Sequence, residues 1–239
     1  MVNTQPYADF AATQLGVTFH DLNLLLVAFT HRSYVNEHKK TAKEHNERME
    51  FLGDAVLELV TTSFLFDNYD EPEGILTNWR SALVRTESIG EAAATCGFEP
   101  LLRLSRGEKR GSSDRARQQI LANAYEAVIG ALYLDQGYDA AKEFIHRTLL
   151  TTFDDILKSG SWQDPKSNYQ EVVQSDENLT PQYRVLSEEG PDHEKTFTVG
   201  VFVGDDLRAK GVGPSKQNAQ VAAAERALAQ HKPHPNSRD

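Results

Sequence analysis

Three acids crowd into the ten residues "HNERMEFLGD" at 45–54: Glu47, Glu50 and Asp54, with Arg48 beside them and Met49, Phe51 and Leu52 interleaved. On a helix beginning near Asn46 these acids fall at i, i+3 and i+7, on one face, and Glu58 continues the line by another turn. Like charges at that spacing repel, so the arrangement needs a reason. A solvated helix face is the plain one, but the apolar residues leave little surface for it. A second polar pair, Asn123 and Glu126, sits at i, i+3 in "ILANAYEAVIGALYL" (120–134), where nothing else is strongly polar. A carboxylate there must be paired, protonated or bound to a cation. A salt bridge to Arg48 or Arg85 would satisfy it. Convergence with Glu50 and Asp54 would instead make a site of oxygen ligands, without histidine or thiolate, suited to magnesium or manganese.

The elements that would carry these residues read as helices from their apolar spacing. They span 22–35, with Asp21 as N-cap, then 46–66, 75–97, 118–135 and 140–157, with no strand before residue 180. In the second, Met49, Leu52, Val56, Leu59, Val60 and Phe64 share a side. The stretch 118–135 is apolar almost all round and is expected to run through the middle of its domain. His31 reads as structural within the first helix, and Cys96 as packing at a helix end. "SRGEKRGSSDRARQ" (105–118) reads as a flexible basic loop, either a phosphate contact or a solubilising surface loop. After the polar, proline-bearing "KSGSWQDPKSN" (158–168) the texture changes to a helical patch at 165–174, alternating strands, and the alanine-rich helix "NAQVAAAERALAQ".

Composition bounds the rest. With 239 residues, 39% of them hydrophobic and 25% charged, the chain can fold as one large domain or two smaller ones. The single cysteine excludes an internal disulfide and a cysteine zinc cage, and fits a reducing cytoplasm. No apolar run reaches membrane-spanning length and "MVNTQPYADF" is no secretory signal, so a cytoplasmic protein is expected. The net charge of −10 normally argues against nucleic acid. Local clustering matters more than the total, because phosphates feel charge only within about a Debye length.

"NERMEFLGDAVLELV" resembles the signature segment of the ribonuclease III family, and "AFTHRSYVNEH", "EGILTNWRSALVRTESI" and "ILANAYEAVIGALYLDQGYDAAKEFI" resemble further blocks of it in the same order. The resemblance covers nearly all of residues 5 to 157. Residues 164–231 resemble a double-stranded-RNA-binding domain through "DPKSNYQEVVQ", "PQYRVLSEEGPDHEKTFTVGVFV" and "GVGPSKQNAQVAAAERAL". The implied fold is an all-α endonuclease domain over 1–158, a linker at 159–163 and a small α+β (α-β-β-β-α) domain over 164–233. A disordered tail follows at 234–239.

The resemblance implies roles residue by residue. Asp54 and Glu126 are the catalytic acids, with Glu50, Asn123 and Glu126 holding Mg2+, for which Mn2+ can substitute. Asn123 stands where many members have aspartate, so the metal set has one charge fewer. Glu47 and Glu73 match acids near the cleavage cleft, although Glu73 reads equally as a helix-start acid. Two cations about 4 Å apart would activate water and steady the departing oxygen. Phe51, which could otherwise be core, matches an aromatic that plugs into a second copy, implying a homodimer that sets two acid clusters against the two strands. Gln170, Glu171, His193 and Lys216 match the RNA contacts of the second domain. Lys216 is followed by Gln217 and Asn218 where the family has further basic residues, so weaker and less salt-sensitive binding is expected.

The implied function is magnesium-dependent hydrolysis of double-stranded RNA to 5′-phosphate products with short 3′ overhangs, in processing of ribosomal RNA precursors and structured messenger RNA. The alternative is a double-stranded-RNA-binding protein that keeps the fold with weak or no catalysis, raised by Asn123. Survival of Glu50, Asp54 and Glu126 speaks against it, because a scaffold has little reason to hold an acid cluster.

Overall fold

Named strands enter only after residue 180, and everything before them is built from helices. The computed structural model describes residues 3–160, 162–191 and 195–231, and the chain divides into two units, Met1–Trp162 and Gln163–Asp239. The tail predicted at 234–239 lies outside the described residues.

In the first unit, α1 (Gln5–Phe10) has Pro6 in its first turn, continues as a wider π turn to Leu15 and stops at Gly16, φ 73°. The apolar spacing does not predict it. The single helix predicted over 22–35 is two, α2 (Leu22–Ala28) and α3 (Arg32–Glu37). They separate because Thr30 bridges to Arg103: the Arg103 N–H donates to the Phe29 carbonyl at 2.8 Å, and the His31 N–H donates to the Arg103 carbonyl at 3.1 Å. His31 is therefore not inside a helix. It caps α3, its Nδ1 accepting from the Ser33 N–H. Asp21 caps α2 as predicted, accepting from the Asn23 N–H.

α4 (Glu47–Asn68) carries the acid segment. The helix predicted over 75–97 divides into α5 (Glu73–Val84) and α6 (Thr86–Thr95), because Arg85 turns extended at ψ 152°. The basic stretch 105–118 is no flexible loop. Ser105 caps α7 (Arg106–Gly111) by accepting from the Glu108 N–H, and Ser113 caps α8 (Asp114–Gln136) by accepting from the Ala116 N–H. α9 (Tyr138–Thr148) and α10 (Phe153–Ser159) complete the unit. Trp162, in the stretch predicted as linker, packs edge-on against Trp79 at 5.9 Å.

α8 is the axis of the core: Leu121, Ala124, Tyr125, Val128, Ile129 and Leu132 are all buried on it. α4 lies against it at two glycines. A Cβ added to Gly53 would collide with the Glu126 carbonyl oxygen, and one added to Gly130 with the Met49 carbonyl oxygen. The helices therefore meet backbone to backbone. Asp135, near the end of α8, ties that end to the start of α2 by accepting from the N–H groups of His20 and Asp21, each at 2.8 Å. Leu59, predicted in the apolar line of α4, is instead 56% exposed, and Phe51 is 81% exposed.

The second unit follows the predicted order. Asp164 caps α11 (Pro165–Glu177) by accepting from the N–H groups of Lys166 and Ser167. The strands β1 (Gln182–Glu189), β2 (Thr196–Val203) and β3 (Asp206–Gly213) form an antiparallel sheet in that order, with a register shift between Val185 and Ser187. α12 (Lys216–Gln230) lays Ala219, Ala223, Ala224 and Ala227 into the core. Its alanines are small because Gly211 of β3 meets the helix backbone at Ala219 and Ala223.

Two outcomes follow. Gly53→Ala gains about 1 kcal/mol of helix propensity, but overpacking against backbone costs more, about 1–3 kcal/mol. Its thermal midpoint should fall below wild type, and an equal or higher midpoint contradicts the close approach. For Asp135, burial alone would raise the carboxyl pKa, but hydrogen bonds from Asp21, Gln136 and His20 outweigh it and hold the group below its ordinary range. A depressed folded pKa stabilises above the unfolded value of about 3.9, and that stability is lost as pH falls through the folded value. Asp135→Asn should therefore cost roughly 1.5–3 kcal/mol at neutral pH, with the gap closing in acid; urea unfolding at both pH values measures it.

Candidate active site

Where α4 crosses α8, Glu50 and Asp54 flank Gly53 on one helix, and Asn123 and Glu126 precede Gly130 on the other. Asn46, buried at the head of α4, donates its N–H to the Thr30 carbonyl at 2.9 Å, so the break after α2 also fixes where the acid helix begins.

Glu126 has the most perturbed carboxyl of the site. Burial, then the charge of Asp54, then that of Glu50, push its pKa to about 8. Among the described residues no lysine, arginine or histidine lies within salt-bridge distance of it, so the bridge to Arg48 or Arg85 weighed from the sequence does not form. The Glu50 pKa is also raised, first by burial and then by the Glu47 charge; a hydrogen bond from the Asn123 side chain works against these, and Asp54 adds to them. Its Oε2 is buried without a hydrogen-bond partner. Asp54 is exposed beside them.

The neighbours sort themselves by partner. Glu47 is engaged by Arg32 at 3.4 Å and His45 at 3.8 Å, and Glu58 by Arg80 at 3.1 Å. Glu73 is the first residue of α5 and exposed there, as a helix-start acid would be. The Asn123 oxygen accepts from Gln119 Nε2 at 2.7 Å. Three acids and one amide thus share a half-buried patch where like charge is uncompensated, with one orphaned oxygen. That donor set suits a hard divalent cation: oxygen ligands only, and net negative. Among the described residues no three His, Cys, Asp or Glu side chains already converge as a cage. A cation would therefore draw on Asn123 and water besides the carboxylates.

Phe51 projects away from this patch. Its ring borders a cavity of about 870 Å³ lined also by Val27, Arg48, Met49, Leu52 and Leu134. Leu59, Phe66 and Leu134 are exposed as well, at 56, 76 and 53%. Phe51, Leu59 and Phe66 recur at helical spacing along α4, an apolar stripe beside the acids.

In the second unit Gln170 and Glu171 are exposed on α11. Lys216 opens α12, but its ammonium pairs with Glu188 at 2.9 Å and lies 5.5 Å from the Phe197 ring. His193 lies outside the described residues. Apolar spacing does not single out Gly53 and Gly130. Their signal is local: a glycine inside each of two otherwise strong helices, where it costs about 1 kcal/mol against alanine and so asks for a packing reason.

Comparison with known proteins gives the same division. A family described as Ribonuclease-III-like matches residues 21–153, and one described as Double-stranded RNA binding motif matches residues 165–231. Ribonuclease 3 of Enterococcus faecalis is 45% identical over 214 residues, 89% of this chain and 92% of that protein. Ribonuclease 3 of Latilactobacillus sakei is 42% identical over 91% of this chain and 94% of that one. The nuclease domain of ribonuclease III from Campylobacter jejuni, a structure described for flexibility in the region involved in dimer formation, aligns with a TM-score of 0.53 at 33% identity. It covers 61% of this chain and 98% of that one. With its helical nuclease domain followed by a double-stranded-RNA-binding motif, the chain belongs to the ribonuclease III family.

Proposed function

We propose that this chain is a homodimeric, magnesium-dependent endoribonuclease that hydrolyses both strands of duplex RNA. It would act in the cytoplasm on ribosomal RNA precursors and structured messenger RNA, leaving 5′-phosphates and short 3′ overhangs. The observation that carries the catalytic assignment is Glu126, a half-buried carboxyl raised to about 8 with two acids beside it and no basic partner among the described residues.

Glu126, Glu50 and Asn123 would hold the cation. When bound, a divalent cation supplies the Lewis acidity that phosphodiester hydrolysis needs. The protein's own part is to position and to move protons. Asp54, exposed at the edge of the patch, orients the attacking water and draws its proton. Glu50, with one oxygen unpartnered, keeps the patch negative and so selects for cation over anion. Asn123 contributes a neutral oxygen where a carboxylate would add charge, so the magnesium needed for half-maximal activity is raised. The alternative of a non-catalytic binder gains nothing from the geometry, since all three acids keep their places at the crossing. The exposed stripe of Phe51, Leu59 and Phe66 supports pairing with a second copy, since a contiguous apolar patch of this kind is rarely left to solvent.

A long RNA duplex incubated with protein and magnesium tests the reading. Wild type should cut both strands, Glu126→Ala should not cut, and Asn123→Asp should reach the same rate at lower magnesium. Phe51→Ala should shift sedimentation toward monomer and lose double-strand cleavage with it. A wild type that binds duplex but cuts it with neither magnesium nor manganese overturns the enzyme.

A further inference from the structure

The two lysines at one end of the RNA-binding unit stand in opposite electrostatic states. Lys216, the cation that the family resemblance assigns to RNA, has its ammonium 2.9 Å from Glu188, and the Glu188 carboxyl is held below its ordinary range first by the hydrogen bond from Lys216. The pair's field is that of a dipole, which falls off faster than a charge, and a phosphate approaching Lys216 also approaches Glu188. Lys166, on α11, has no carboxylate within salt-bridge distance among the described residues. Its Nζ donates to the neutral Gln220 Oε1 on α12 at 2.8 Å and lies 5.1 Å over the Tyr183 ring. The nearest acid by position, Asp164, spends one oxygen on the N–H groups of Lys166 and Ser167. Lys166 therefore carries a charge that no ion pair among the described residues neutralises, held in place across the two helices.

It is also held at a shaped surface. A groove of about 290 Å³ is lined by Asp164, Lys166, Ser167, Gln170, Tyr183 and Gln217, mostly polar groups from the start of α11 and the start of α12, with the Asp164 carboxylate engaged by the helix N–H groups of Lys166 and Ser167. Gln170, the expected RNA contact of α11, shares that groove. We propose that this groove receives a backbone phosphate of the RNA duplex, with Lys166 as its charged ligand, and that Glu188 withholds Lys216 from the same task. The proposal rests on the reading of the second unit as an RNA-binding module. It names a residue that the acidic charge total hides, and it makes the missing basic residues at 217 and 218 a lesser loss than they look.

Binding of the full-length protein to a labelled RNA duplex of about 20 base pairs, in EDTA so that nothing is cut, tests it across a salt series. Lys166→Gln should weaken binding roughly tenfold at about 0.1 M salt and lower the salt slope by about one. Lys166→Arg should restore both. Lys216→Gln should weaken binding less than Lys166→Gln, and Glu188→Gln should strengthen it by freeing Lys216. Thermal midpoints of all variants report on folding, and if Lys166→Gln is unstable, Glu188→Gln and Lys166→Arg still decide. Wild-type binding with Lys166→Gln unchanged, or with Lys216→Gln the costlier, overturns the proposal alone. A wild type that ignores the duplex overturns the RNA-binding reading and this proposal together.

Discussion

Two helices touching backbone to backbone set the terms for everything else in the nuclease unit. Neither Gly53 nor Gly130 has room for a Cβ, because each faces a carbonyl oxygen of the other helix. Closeness at that point brings Glu50 and Asp54 of α4 up to Asn123 and Glu126 of α8. A methyl group on either glycine would prise the helices apart and separate the acids with them. The geometry of the acid cluster is thus a by-product of core packing, held by the most buried helix of the unit rather than by a loop.

That closeness carries an electrostatic penalty, which is informative. Burial first, and the like charges beside it second, disfavour ionisation where no basic partner lies within reach among the described residues, so both Glu50 and Glu126 are shifted upward. The surrounding acids have basic neighbours: Glu47 pairs with Arg32 and lies 3.8 Å from His45, and Glu58 pairs with Arg80. Evenly spaced acids along one helix therefore divide into a set paired with bases and an uncompensated set. The uncompensated set is the one that a divalent cation would relieve.

What could be read from the sequence was what depends on near neighbours. The i, i+3 spacing of the acids, the buried character of α8 and the α-β-β-β-α order all follow from local periodicity. The errors came where distant contacts decide. The break between α2 and α3 is made by Arg103, 73 residues from Thr30. The division at Arg85 and the exposure of Leu59 likewise have no local cause in the apolar spacing. The segment 105–118 differs, because its signal is local: Ser105 and Glu108 have capping-box spacing, which starts a helix despite the glycines that follow. In the second unit, Lys216 was legible as a cation but its cancellation by Glu188, across from a strand, was not.

On the function proposed above, the crossing of α4 and α8 holds an uncompensated acid set for a divalent cation, with Glu126 mostly protonated until the cation arrives. Calorimetric titration of manganese into metal-free protein at pH 7, repeated in buffers of different ionisation enthalpy, measures the protons released. With Glu126 raised to about 8, binding should expel roughly one proton per protomer, and Glu126→Gln should weaken binding and abolish that release. Tight binding with no proton released, or release unchanged in Glu126→Gln, would contradict the account.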